Sequence, residues 1–309
     1  MNHERIKKAE LKKKSEDLGI PFSSILAGYI VEEFMYLVSD SEFSKNLWLK
    51  NEDVFEIGGY QENFYLTLDF IYHTEEKIVK TDKLVAGQKL SKELAELMLQ
   101  NIFVKEKTKG IRWKWNYQWI DEQLKVQVTA EYEEMKVPFS VEVRPHYLHG
   151  ITPEKRMRKL FMHENEEIEY RHYPAETILA EQLLEIVTYL ELVSSMKCYD
   201  IAYRIISKEP VDGRRIKDTL TLLCEENGIS RTEDRGSMIA GYKDYGYMAK
   251  RWEKYAKPLR KEKNSNVVIP TWQELMERLN RFLTPIWNCI SRDEIFFGDW
   301  MPELGRYLD

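Results

Sequence analysis

The feature that most constrains this chain is a change of hydrophobic period near residue 172. Before it, apolar and polar residues alternate in Ile111-Arg112-Trp113-Lys114-Trp115-Asn116-Tyr117, in Leu124 to Tyr132, and in Phe139 to Arg144, which Pro145 closes. Alternation with period two places one set of side chains on each face of a sheet. Phe64 to Tyr72 is aromatic and β-branched and predicts another strand. Ser91 to Asn101 predicts a connecting helix. Ser23 to Leu37 predicts an earlier one, because Leu26, Ile30, Phe34 and Leu37 recur at helical spacing. From Pro174 onward the period is helical. Leu179, Leu183, Val187 and Leu190 form one stripe, and Ile201, Ile205 and Ile206 form the next. Pro210-Val211-Asp212-Gly213 ends that helix, and Ile216 to Asn227 and Trp272 to Leu283 predict two more. Lys257 to Pro270 reads as a charged loop. The order predicts an α+β fold with a largely antiparallel or mixed sheet over residues 1–172, followed by a helical domain over residues 173–309.

A chain of 309 residues is long enough to bury a substantial core. With 43% hydrophobic and 32% charged residues, eight Trp and eighteen Tyr, it reads as ordered and globular. The net charge of −6 means that any nucleic-acid contact must use a local basic patch. Cys198, Cys224 and Cys289 are far apart and lack metal-ligand spacing, which predicts a reduced, cytoplasmic chain. The start, MNHERIKKAELKKK, has no apolar stretch after its charges, so no signal peptide is expected, and residues 5 to 14 read as a basic, solvated helix face. No apolar run approaches the ~18 residues of a membrane span, so none is expected.

Few residue patterns carry chemistry. Two carboxylates at i and i+2 on a strand point the same way and can hold divalent ions that bind nucleotide phosphates. A glycine turn before such a strand lets backbone N–H groups approach those phosphates. Here Asp69 lies on a predicted strand, with Thr67 two residues before it and Ile71 two residues after. Lys50 ends Leu47-Trp48-Leu49-Lys50 and is followed by Asn51 and Glu52, while Ile57-Gly58-Gly59 supplies a second possible turn. In the helical half, Glu176, Glu181 and Gln182 fall near a helix start, where carboxylates are favourable in any case, and Lys197 and Asp200 are spaced as an ordinary helix pair.

These segments carry a resemblance. Tyr29 to Ser39 with Leu47 to Lys50, Tyr173 to Leu183, and Ser194-Ser195-Met196-Lys197-Cys198-Tyr199-Asp200 resemble the AbiEii/AbiGii nucleotidyltransferase-like toxins of type IV toxin–antitoxin and abortive-infection (phage-defence) systems. The likeness runs from about Ala27 to Trp287. It implies a nucleotidyltransferase-like mixed sheet, Mg²⁺ as cofactor, an NTP as substrate, RNA as acceptor and a cognate antitoxin or other protein as partner. It implies catalytic roles for Asp69, Lys197 and Asp200. Nucleotide binding would fall to Lys50, Glu176, Glu181 and Gln182, and metal binding to Asp69 with Glu131. The chain departs from the family where the charge should be. Asn51 and Glu52 stand at the Gly-Gly positions, Thr67 at the first aspartate, and Thr129 near the third carboxylate, with Glu131 two residues on. Gln182 replaces a lysine, Ser195 an arginine and Cys198 an aspartate. If Ile57-Gly58-Gly59 is the turn instead, Asp69 becomes the first aspartate and Ile71 stands at the second. A glutamine can hydrogen-bond a phosphate but brings no charge. Two functions follow: a degenerate member acting by nucleotide, RNA or partner binding, or an active Mg-dependent transferase.

The remaining candidates are simpler. His146-Tyr147-Leu148-His149, with His163 and His172 downstream, has no cysteine or carboxylate spacing for zinc. Cys198 next to Lys197 reads as a packed helix cysteine, with a lowered pKa as the alternative. Two stretches mix cations and rings in a way that suits RNA: Lys105, Lys107, Lys109, Arg112, Trp113, Lys114 and Trp115, and Tyr242 to Lys263.

Overall fold

The structure, a computed structural model, describes residues 6–55, 66–73, 90–103, 110–145, 151–163, 165–231, 234–260 and 269–308. It divides into two compact units, Met1–Pro174 and Ala175–Asp309. The α+β class expected from the order of strands and helices holds.

The first unit opens with α1 (Lys8–Leu18) and α2 (Phe22–Ser39), then β1 (Leu47–Leu49) and a 3-10 turn at Glu52–Phe55. After these come β2 (Thr67–Tyr72), α3 (Lys92–Phe103), β3 (Ile111–Ile120), β4 (Gln123–Tyr132), β5 (Met135–Pro145), β6 (Glu154–Lys159) and β7 (Glu167–His172). The seven strands form one sheet in the order β3-β4-β5-β2-β1-β7-β6. β3, β4 and β5 are an antiparallel meander. β5 runs parallel to β2, β2 antiparallel to β1, β1 parallel to β7, and β7 antiparallel to β6. The sheet is therefore mixed.

One face of this sheet is apolar. Leu68, Phe70 and Tyr72 of β2 join Leu124, Val126 and Val128 of β4 and Phe139, Val141 and Val143 of β5 in a core with Ile30, Phe34, Leu37, Met98 and Ile102 of α2 and α3. The opposite parity on the same strands is polar: Thr67 and Asp69, Lys125 and Gln127, Ser140, Glu142 and Arg144. Strand alternation thus fixes which face the candidate site occupies.

α2 is, by length and composition alone, apolar enough to cross a membrane, yet 72% of it is buried as a core helix. It also carries Glu32 and Glu33, both buried. β6 and β7 were not foreseen as strands, because β6 reads Glu-Lys-Arg-Met-Arg-Lys and shows no hydrophobic alternation. α1 buries only Leu11, in keeping with a solvated basic helix.

The second unit comprises α4 (Ala175–Tyr189), α5 (Lys197–Lys208), α6 (Gly213–Glu226), α7 (Arg235–Ala240), α8 (Gly246–Arg260) and α9 (Trp272–Arg292), then β8 (Asp299–Met301) and β9 (Arg306–Leu308). It is not helical to the end, as the sequence suggested. β8 and β9 form a hairpin, and Val211 bridges to Trp300 on its other side. Trp300 is fully buried and donates its indole N–H to the Ile206 carbonyl at 2.7 Å. α9 runs well past Leu283. A capping box of Thr271 and Glu274 starts it, and Leu275, Leu279, Phe282, Ile286 and Ile290 keep one face buried across Pro285.

Candidate functional site

The candidate site forms where the chain leaving β1 meets β2. The Lys50 backbone N–H donates to the Asp69 carbonyl at 2.7 Å, which extends the β1–β2 ladder by one residue. Asn51 follows, at one of the two glycine positions of the resemblance. Its side-chain amide donates to the Thr67 carbonyl at 2.8 Å, and its amide oxygen accepts from the Asp69 N–H at 2.8 Å. One side chain therefore satisfies two backbone groups of β2 and pins the turn to the strand. A glycine turn would leave backbone N–H groups to meet a phosphate; here a side chain occupies the strand edge. The alternative turn at Ile57-Gly58-Gly59, and Phe64 and Tyr65 of the predicted strand, lie outside the described residues.

Thr67, Asp69 and Ile71 project from the same face of β2, so neither register supplies a pair of carboxylates on that strand. The adjacent strand supplies one instead. Glu142 of β5 lies directly beside Asp69 in the parallel ladder, and Arg144 lies beside Ile71. The Arg144 guanidinium donates to Asp69 Oδ2 at 3.2 Å and to Glu142 Oε2 at 3.4 Å. On the far side of Glu142, Lys125 of β4 approaches to 3.9 Å. The polar face thus carries a row of alternating charge, Asp69, Arg144, Glu142 and Lys125, across three strands.

This row fits a divalent cation poorly. A metal bridging Asp69 and Glu142 would have to take the place that the guanidinium fills, and Arg144 adds a positive charge beside it. Among the described residues, no group of three or more His, Cys, Asp or Glu side chains could hold a metal ion.

Glu131, expected to complete the set with Asp69, stands elsewhere. Asp69 is level with Glu142 and hence with Lys125, whereas Glu131 is level with Lys136 near the far end of the meander. Six residues of strand separate the two levels, about 20 Å at ~3.3 Å per residue. Glu131 instead accepts from Lys114 at 2.5 Å and lies 3.6 Å from Arg112, and these cations hold its carboxyl below its ordinary value. Lys50 stays at the site, with its ammonium 5.6 Å from the centre of the Tyr173 ring.

Lys197, Asp200, Glu176, Glu181 and Gln182 belong to the second unit. Asp200 is buried, and Arg204 grips it with two hydrogen bonds, of 3.0 and 2.9 Å. The Tyr255 hydroxyl donates a third, of 2.9 Å. Lys197 opens α5 and is exposed, so the expected Lys197–Asp200 helix pair gives way to Arg204 one turn on. Glu176 is buried in the first turn of α4, and Glu181 and Gln182 are half-buried on the same helix. The Cys198 thiol is not activated. Burial, and then Glu185, push its pKa up to about 12, and it donates to the Ser195 carbonyl.

The two basic–aromatic stretches divide differently from their sequence order. In β3, Arg112 and Lys114 face one side of the sheet while Trp113 and Trp115 face the helices, where Trp115 stacks on Phe103 at 5.7 Å. Lys105, Lys107 and Lys109 lie outside the described residues, as do His146 and His149. His163 lies 3.8 Å from Glu33, and His172 lies 3.5 Å from Glu154. In α8, Trp252 is buried and Arg251 donates to the Glu191 carbonyl at 2.8 Å. Tyr245, Tyr247, Lys250 and Lys254 remain exposed, while Lys261 and Lys263 lie outside the described residues.

Two groups were missed by the sequence reading: Glu142, and Arg144 as its bridge to Asp69. Their signal was present, as polar residues at alternate positions of Val141-Glu142-Val143-Arg144, but nothing local announces that β5 lies beside β2.

No protein-family model matches the chain, and no curated protein does. Among solved structures, it is similar to JHP933 from Helicobacter pylori, at 12% identity and a TM-score of 0.42 over 89% of this chain and 94% of that one. It is similar also to a Helicobacter pylori structure described as a candidate nucleotidyltransferase, at 12% identity and a TM-score of 0.41 over 86% of this chain and 95% of that one. At such identity and TM-score, neither says what this chain does.

Proposed function

We propose that this chain is a degenerate nucleotidyltransferase-fold protein of the toxin–antitoxin or phage-defence kind, and that it binds a nucleotide, an RNA or a partner protein without transferring nucleotides. The observation that carries this reading is the guanidinium of Arg144 lodged between Asp69 and Glu142. If Asp69 is the metal-binding aspartate that the resemblance implies, a divalent cation would need that same place. A cation built into the chain can attract a phosphate, as can Lys50 beside it. The loss of charge at Gln182 and Ser195 points the same way.

The test is equilibrium binding of each ribonucleoside triphosphate, and of short single-stranded RNA, with and without Mg²⁺. Binding that needs no Mg²⁺ and weakens about tenfold in Lys50→Ala or Arg144→Ala supports the reading. Binding that appears only with Mg²⁺ contradicts it. One observation favours the second reading, an active Mg-dependent transferase adding nucleotides to RNA. Glu142 gives Asp69 a carboxylate neighbour on the next strand, so displacement of Arg144 would leave two carboxylates facing one ion.

A further inference from the structure

β3 is an edge strand, and among the described residues no strand pairs with its outer side. Such edges are ordinarily blunted by proline, bulges, short length or charge. β3 has ten residues, an unbroken ladder with β4, and neither proline nor glycine. Its charges, Arg112 and Lys114, sit in its first half. Trp115-Asn116-Tyr117-Gln118-Trp119-Ile120 is uncharged.

The turn after β3 shows which backbone groups point outward. Asp121 and Glu122 both have positive φ, 49° and 60°, as a tight two-residue hairpin requires, and Ile120 pairs with Gln123 across it. The pair flanking such a turn exchanges both hydrogen bonds. Ile120, Gln118 and Asn116 therefore aim their N–H and C=O groups at β4, and Trp119, Tyr117 and Trp115 aim theirs away from it. Ile120 is 46% exposed, and Leu97 of neighbouring α3 is 43% exposed.

We propose that this edge pairs with the same edge of a second copy of the chain, antiparallel and centred on Tyr117, to make a continuous sheet across a two-fold axis. In that register Tyr117 faces Tyr117, Trp115 faces Trp119, and Asn116 faces Gln118 of the other copy. Aromatic pairs then stand on one face and amide pairs on the other. The same register carries the acidic turn Asp121-Glu122 of each copy toward Arg112 and Lys114 of its mate. Arg112 is well exposed. A parallel pairing would instead bring cation against cation. The antiparallel arrangement forms about six new backbone hydrogen bonds. This charge and side-chain complementarity favours a second copy over an unrelated strand.

The test is sedimentation velocity of the full chain over a range of concentrations, with disulfide capture. A reversible dimer that weakens with salt is expected. An equimolar mixture of Asn116→Cys and Gln118→Cys chains should form a mixed disulfide dimer under mild oxidation, several times more than either variant alone. Tyr117→Pro removes an N–H that points away from β4, so β3 should stay in the sheet while the dimer is lost. A chain that is monomeric at every concentration overturns the proposal. So does a dimer that gives no mixed crosslink, whether or not Tyr117→Pro folds.

Discussion

Arg144 on β5 holds the carboxylate of Asp69 on β2, with a guanidinium N–H 3.2 Å from Oδ2, and the same nitrogen reaches Glu142 at 3.4 Å. Asp69 is the aspartate that the sequence singled out as a metal ligand, and here a cation of the chain itself pairs with it. The three groups stand on two strands far apart in sequence, joined by a parallel ladder.

Removing that cation should expose the carboxylate pair. Arg144→Met is expected to lower stability by about 1 kcal/mol, because two like charges then face each other on neighbouring strands. It should also create a response to Mn²⁺, since an ion that binds only the folded form raises the melting temperature. The wild-type chain should show no such rise at millimolar Mn²⁺. Differential scanning fluorimetry of both proteins checks this, and an equal rise in both would contradict it.

Asn51 should matter to the strand more than to any ligand. Its amide satisfies the Thr67 carbonyl and the Asp69 N–H. Asn51→Ala leaves both groups short of a partner that they now have, at a cost of about 1–3 kcal/mol. Urea unfolding should show a lower midpoint with an unchanged slope. Asn51→Gly should cost at least as much.

α2 makes the first unit sensitive to pH. Burial raises the Glu32 carboxyl to about 7 and, with Glu32 beside it, that of Glu33 to about 8, both from 4.5. The Phe161 backbone N–H, 2.8 Å from Glu32, opposes the rise only in part. Both folded values lie above the unfolded one, so the folded chain binds more protons between them. The stabilisation is complete below pH ~4.5 and is lost as pH climbs through 7 and 8. Over that window the two groups together should cost several kcal/mol, with each pH unit between a group's unfolded and folded values worth ~1.4 kcal/mol. Glu33→Gln should flatten the stability profile between pH 6 and 8, as read by chemical unfolding at fixed salt. A profile as steep as wild type would contradict the burial account.

Much of this fold was legible. The meander could be read because β3, β4 and β5 alternate strictly, and α4 and α5 because their stripes are helical. β6 was hidden because its side chains are charged on both parities, and the terminal hairpin because β8 and β9 have three residues each. Of the candidate site, Asp69 and Lys50 were legible from their places at a strand and a strand end. Arg144 and Glu142 were not, because the parallel contact of β2 with β5 joins segments about seventy residues apart, and strand periodicity says nothing of which strands become neighbours. Asp200 illustrates a different limit. Spacing offered it Lys197 three residues before and Arg204 four residues after, and the side chain that spacing could not name is Tyr255, which comes from α8.

Gly213 sets a tight point in the second unit. A Cβ there would lie 1.9 Å from the Gly298 carbonyl oxygen and 2.5 Å from the Phe296 ring. The first of these is backbone, so the segment before β8 must move. Gly213→Ala should destabilise by more than about 2 kcal/mol, in spite of alanine's better helix propensity. Gly228→Ala, at a φ of +65° but with nothing nearby, should cost about 1 kcal/mol. Thermal unfolding of the two variants distinguishes crowding from backbone strain.

The central claim is that the Asp69 centre has lost nucleotide transfer. Its most direct test is incubation of the purified chain with each α-labelled NTP in turn, with Mg²⁺ or Mn²⁺, and total bacterial RNA, beside Asp69→Ala as control. The account predicts no label in RNA above that control from protein shown to be folded. Label that appears with one nucleotide and vanishes in Asp69→Ala would contradict it, and would make Asp69 and Glu142 a working carboxylate pair.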